Sequence, residues 1–405
     1  MNNSFKLYIR DSLFETAQMF AAGAALTQTY LSSIGLPERM IGTAVSAMGI
    51  VNVVTSVLFS KLSDRSRHIK KSISALFLII AATYLCFPAL QYRPGLPAGV
   101  LFLVVAAAGF AQSAAAAFRN LFEYKLPFLI FDMNKYSRFL TLDGVIAGLF
   151  SVLFSILLNI LLSRADYFMV IRAGFLFACA LTCFAAFVNR QFDDKNPDEL
   201  KPNKTRPPVK ISLIIKRRDF TAFAIPNFLR GISAGVVNMA ALIALNSSIL
   251  DSKGTSYIVT ATTIGNIAGS LIYTVLTKRV DDKHMCLLGS ALMLPLVFMS
   301  KSGPTAYILL FFFANLGIRI ISYAYPLMIY KLIPFEIIGT YNTLRMMLTT
   351  AGTAAATYLT GRLLGNMPVQ TFFLAAVACQ ILSAAAYLRI YPKFLAAKSP
   401  EKTAG

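Results

Sequence analysis

Six ionisable side chains stand inside long apolar runs of this 405-residue chain: Glu15, Arg119, Asp143, Arg230, Arg319 and Arg345. Charge is costly in hydrocarbon, so such groups face a partner or a wet cavity and mark paths for ions or substrates. Arginine keeps its proton, and its planar fork suits carboxylate or phosphate. Four arginines against two acids leave surplus positive charge, which leans toward an organic anion, or a zwitterion held by its acidic end. Glu15 and Asp143 are the candidates for proton coupling, because a carboxylate in low dielectric has a raised pKa and titrates nearer neutrality. Gln18, Gln28, Asn227, Asn238, Asn266, Asn315 and Tyr323 offer neutral hydrogen bonds, with Gln18 and Asn238 grouped with the arginines as substrate contacts. Arg230 and Arg319 fall near the middle of their runs; the other four lie nearer one end. Blander roles stand beside these: Glu15 capping a helix start, Arg119 pairing with Glu123 four residues on, and Arg345 reaching to the interface.

The runs that carry these groups define the elements. Hydrophobic residues make up 57% of the chain and charged ones only 14%, with a mean hydropathy of +0.64, too little charge to cover a soluble surface of this size. The charges cluster between apolar runs of about 18–25 residues, the length of a membrane-crossing helix. The runs are apolar all round, which excludes the alternation of a membrane barrel. Twelve spans are predicted: 12–32, 40–60, 72–90, 98–122, 139–162, 167–188, 221–247, 255–277, 285–300, 305–330, 339–361 and 370–391. With both termini in the cytoplasm, the external connections hold only Arg39, Arg93, Arg164, Arg172, Lys253, Lys301 and Arg362, and most other basic residues fall inside. The net charge of +20 is then a property of cytoplasmic loops in a cell-membrane protein and not a sign of nucleic-acid binding. Lys6 and Arg10 open the chain, but Glu15 and Gln18 interrupt the apolar stretch, so the N-terminus reads as a retained first helix.

Other chemistries lack their residues. The five cysteines all lie in apolar runs without metal-ligand spacing, and the two histidines, His68 and His284, sit in loops. No Walker loop is present. The expectation is a non-enzyme without cofactor or metal, bound to the bilayer and acting as a monomer on a small molecule.

The segment 60–71, Ser-Lys-Leu-Ser-Asp-Arg-Ser-Arg-His-Ile-Lys-Lys, reads as a charged loop after the second span, and 277–284 echoes it after the eighth. Lys61 falls on Lys278 and Asp64 on Asp281; Tyr124-Lys125-Leu126-Pro127 pairs with Tyr330-Lys331-Leu332-Ile333-Pro334, and Ser32-Ser33-Ile34 with Ser247-Ser248-Ile249. A duplicated half is the simplest source of such echoes. The first loop resembles the G-x-L-a-D-R-x-G-R-K motif of the major facilitator superfamily, matched at Leu62, Ser63, Asp64 and Arg65, with Ser60 in place of the first glycine and the second glycine missing. Segment 333–341 resembles the loop before that family's eleventh helix, and with the span spacing the resemblance covers nearly the whole chain.

The resemblance implies an all-α integral membrane fold of twelve transmembrane helices in two pseudo-symmetric six-helix bundles. These are 1–188 and 220–391, joined by a cytoplasmic linker, 189–219, and followed by a tail, 392–405. It implies that the first, fourth, seventh and tenth helices line a central cavity, the helices that carry Glu15, Arg119, Arg230 and Arg319. It also implies a cytoplasmic gate at Asp64 and Arg65, with Asp281 the weaker counterpart. The echo places Glu15 on Arg230, suggesting a gate or coupling pair. Glycines four apart, Gly144/Gly148, Gly231/Gly235, Gly265/Gly269 and Gly361/Gly365, mark either sliding surfaces or plain helix packing. The expected activity is secondary transport by alternating access, coupled to protons. A multidrug or metabolite exporter is the alternative, although segment 142–148 has the glycines of the drug-antiporter signature and no proline. A lipid flippase or a non-transporting receptor on the same scaffold is the alternative of another class.

Overall fold

The computed structural model describes residues 2–65, 68–91, 95–123, 126, 130, 133–193, 211–277, 279–333 and 338–398. Side chains at 60–65, 91, 133–143, 211–212, 329–331, 338–340, 342 and 395–398 fall outside that description. The helices are α1 (Asn3–Ala17), α2 (Ala25–Ser33), α3 (Glu38–Arg65), α4 (Ile69–Gln91), α5 (Ala98–Glu123), α6 (Met133–Arg164), α7 (Tyr167–Arg190), α8 (Ile211–Ile215), α9 (Arg218–Asn238), α10 (Ala240–Asn246), α11 (Thr255–Leu276), α12 (Asp282–Ala291), α13 (Pro304–Leu332), α14 (Ile338–Leu363) and α15 (Val369–Lys398). A helix satisfies its backbone internally, which is why apolar runs adopt it in lipid. Among the described residues ten segments are long and apolar enough to cross a membrane. All twelve expected spans are present as helix, and the fold is the twelve-helix membrane architecture expected.

Three spans depart from a plain run, among them the ninth, where α12 ends at Ala291 and a 3-10 helix, Leu294–Lys301, follows. The first is interrupted between α1 and α2, where a single 3-10 turn, Gln18–Phe20, leads into extended backbone at Ala21 and Ala24. Three side chains catch the freed backbone groups. Ala22 N–H donates to Gln112 Oε1 (2.7 Å), Thr27 Oγ1 donates to Phe20 O (3.1 Å), and Gln28 Nε2 donates to Gly23 O (2.9 Å). The seventh span is divided at Met239 between α9 and α10. The eleventh, α14, is helical but spends Thr343, Thr349, Thr350, Thr353 and Thr357 on positions an apolar span would fill. At the motif expected as a loop from residue 60, α3 continues to Arg65, so Asp64 is at the end of a helix and not in a loop.

The chain divides into two compact units. The first comprises Met1–Thr205 and Ala240–Thr263, so α10 and the start of α11 group with the first six spans. Within it α4 packs on α7 and α5, α3 on α5, and α1 on α7 and α6. Its aromatic core is Phe20, Tyr30 and Phe87 around Phe175, with Tyr30 Oη donating to Phe87 O (2.9 Å). Gly174 makes room for the Phe20 ring, since a Cβ there would overlap it. The second unit comprises Arg206–Met239 and Ile264–Gly405; α9 packs on α14 and α15, and α12 on α13.

Candidate functional site

In the first unit, Arg119 of α5 is half-buried, with its guanidinium 4.0 Å from the Phe14 ring centre and 5.2 Å from that of Phe77. Its Nη2 donates to Asn120 Oδ1 (2.9 Å), while its buried Nε has no acceptor among the described residues. The local pair with Glu123 is not what forms, because Glu123 accepts instead from Arg10. Arg10 of α1 is 3% exposed and is gripped by Asp11 (2.7 Å), Glu123 (3.0 Å) and Asn189 Oδ1 (3.0 Å), between the rings of Phe77 and Phe192. Arg10 escaped the sequence reading because it precedes the apolar run.

Nearby, Lys6 Nζ donates to Gln191 O (2.5 Å) and pairs with Asp193 (2.7 Å), and Asn3 exchanges hydrogen bonds with the backbone of Asp193. The Lys6 hydrogen bond and charge hold the Asp193 carboxyl below the usual carboxylate range. Glu15 is exposed on α1. Gln18 is half-buried, its Nε2 3.5 Å from Tyr84 Oη. Asp143 lies on α6 and Asp64 and Arg65 on α3, but their side chains lie outside the described residues.

The second unit collects three of the four expected arginines. Arg230 of α9 donates through Nη2 to Ser322 Oγ (3.1 Å), with its guanidinium 5.3 Å from the Tyr325 ring centre. Tyr325 stacks on Tyr387 at 3.9 Å, and Tyr387 Oη donates to Asn227 Oδ1 (2.8 Å). Arg345 of α14 is 3% exposed and close enough to Arg230 for their charges to interact. Arg319 of α13 donates through Nε to Ser270 Oγ (3.0 Å), 4.9 Å from the Tyr323 ring centre, and Tyr323 Oη lies 3.3 Å from the same Ser270 Oγ. Arg319, Ser322 and Tyr323 are spaced three and four apart, so one face of α13 carries both arginine contacts. Among the described residues no carboxylate lies within ion-pair distance of Arg230 or Arg319. Asn238 is exposed at the end of α9, and Asp281 is exposed at the start of α12 without a capping hydrogen bond.

The glycine pairs explain how the arginines come together. A Cβ at Gly231 would strike Thr349 O, one at Gly235 Thr353 O, and one at Gly352 Phe228 O. The α9 and α14 backbones therefore touch, Thr353 Oγ1 donates to Gly231 O (3.0 Å), and Arg345 is brought to Arg230. Gly265 and Gly269 admit α13 in the same way, which sets Ser270 against Arg319. Both pairs serve packing inside one unit. Gly144 has nothing near it.

Comparison with known proteins agrees with this architecture. No curated protein sequence matches the chain. Solved structures do. A point mutant of the nucleoside transporter NupG matches with a TM-score of 0.73 at 15% identity, covering 96% of this chain and 100% of that one. A D-xylose–proton symporter matches at 0.72 and 11% identity, covering 95% and 96%. A bacterial homologue of the iron transporter ferroportin, in an inward-facing state, matches at 0.69 and 14%, covering 96% and 98%. At such identities these likenesses establish the fold. The family model of the Major Facilitator Superfamily matches residues 12–248, more than half of the chain. This multi-pass membrane protein belongs to the Major Facilitator Superfamily of secondary transporters.

Proposed function

We propose that the protein moves a small organic anion, or a zwitterion recognised by its acidic end, across the cell membrane by alternating access. The observation that carries this reading is the pair Arg230 and Arg319, which meet hydroxyls and aromatic rings and no carboxylate among the described residues. A guanidinium offers five donors, and a single serine apiece leaves most of the fork to a ligand. Rings beside the charge lower its hydration without neutralising it, which strengthens attraction to an incoming anion. The test is a thermal-shift screen of the purified protein against anionic, neutral and cationic metabolites, followed by uptake of the hits into proteoliposomes. Stabilisation by anions that disappears in Arg230→Gln and Arg319→Gln supports the reading; equal stabilisation by cations or neutral sugars ends it.

Proton coupling is the second part of the proposal, assigned to Asp143 and Glu15. Their replacement by Asn and Gln is expected to leave exchange of substrate intact while abolishing accumulation driven by a pH gradient. Undiminished gradient-driven uptake in the double variant removes the assignment. Sidedness follows the arginine and lysine distribution, with both termini in the cytoplasm; Asp64 and Arg65 remain the proposed cytoplasmic gate.

A further inference from the structure

The interruption of the first span leaves three things in one place. The nine-residue helix α2 begins at Ala25 with no side chain capping it, so the N–H groups of its first turn point out of the helix with the positive end of its dipole. The backbone before it is bare: Gly23 is exposed, and a Cβ there would meet only Val45, at an ordinary 3.6 Å. Gln112 of α5 closes the arrangement. It is 6% exposed, and its Oε1 is taken by Ala22 N–H at 2.7 Å. The Nε2 of that same carboxamide, beside the interruption, is buried with no acceptor among the described residues. An unmet buried donor costs about 1–3 kcal/mol, and the N–H groups at the start of α2 are donors as well. What Gln112 Nε2 lacks is an acceptor.

We propose that the interrupted first span holds a subsite for a hydrogen-bond-accepting oxygen of the transported solute, a carboxylate or carbonyl, received by the N-terminus of α2 and Gln112 Nε2 above the backbone of Gly23. Half-helix ends serve polar groups in this way at membrane depth, where irregular backbone survives only against protein or a wet cavity. The assignment rests on the transport reading only in naming the solute as the ligand. It lies in the first unit, apart from the arginines of the second.

The test is charge-selective labelling at the subsite. Gly23→Cys is treated with anionic sulfonatoethyl methanethiosulfonate and with its cationic trimethylammonioethyl analogue, and modification of that cysteine is followed by peptide mass spectrometry. After normalisation to a free small thiol, the anionic reagent is expected to react about five-fold faster, the effect of a helix N-terminus. Adding Gln112→Leu should reduce the preference while leaving the share of the helix N-terminus, and Gln112→Glu should reverse the order of the rates. Both preferences should survive Arg230→Gln, because they are local to the first unit. Equal rates at Gly23→Cys, a cationic preference, or an unreactive thiol overturns the subsite. Anionic preference in a protein that transports no anion leaves the subsite standing and removes the substrate reading alone.

Discussion

Arg230 and Arg319 differ from Arg10 in what surrounds the charge. Arg10 is enclosed by Asp11, Glu123 and Asn189, a set that neutralises it and fixes α1 to α5 and α7. Removing one member of a buried pair leaves the others without their counter-charge, so Arg10→Met is expected to lower stability by about 3–5 kcal/mol, read as an earlier thermal transition in detergent. Among the described residues Arg230 and Arg319 donate to serine hydroxyls beside aromatic rings and meet no carboxylate, so Arg230→Gln and Arg319→Gln should change the melting temperature little while reducing uptake about ten-fold or more, as expected when a charged ligand contact worth about 1.5–3 kcal/mol is lost. Arg319→Lys should recover only part of it, since a point charge cannot reproduce the planar fork. The arginines proposed to receive the solute were legible in the sequence because each interrupts an apolar run. Arg10 was not, since its partners Glu123 and Asn189 are 113 and 179 residues away and only the folded unit joins them.

At the scale of elements, small residues decide where helices touch. Gly231→Ala places a methyl against Thr349 O, and overpacking of this kind costs about 1–3 kcal/mol. Gly144→Ala, with nothing within contact distance, is expected to leave folding yield and melting unchanged. A thermal scan of the two variants separates a packing glycine from an idle one. The four-residue spacing was visible in the sequence in both cases. What was hidden is the neighbour: the same spacing brings α14 to α9 at one place and faces open space at another. The interruption of the first span was equally hidden. No proline marks it, the run Ala21-Ala22-Gly23-Ala24-Ala25 favours a continuous helix apart from its glycine, and the hydrogen bond that holds it open comes from Gln112, 90 residues on.

At the scale of the molecule, the sequence halves and the compact units are not the same division. In the first unit Ser33 Oγ lies 3.1 Å from Ser252 Oγ, Asn159 Nδ2 donates to Thr260 Oγ1 at 2.8 Å, and α2 packs on α10, all joining the first six spans to residues 240–263. If this contact opens during the cycle, Ser33→Cys with Ser252→Cys will form a disulfide that halts uptake, and a reductant will restore it. Uptake that continues with the disulfide quantitatively formed shows that the contact never opens. The Lys6–Asp193 pair at the entry to the linker is a second such closure. Its carboxyl is held low by Lys6, so the pair contributes above the usual carboxylate range and is lost only as the pH falls below it; at physiological pH it stays shut. The span plan could be read from the placement of apolar runs along the sequence, whereas the division into units depends on which helix ends meet, and no local pattern encodes that. One consequence of the arginines bears on energetics. Arg230 and Arg319 cannot shed their protons, so under the proposed function an anion leaving them leaves uncompensated positive charge in the membrane-spanning unit. An elementary charge carried by the proposed anion through the full field would exchange about 2.3 kcal/mol per 100 mV, which would make the membrane voltage, beside the solute gradient, a force on its uptake.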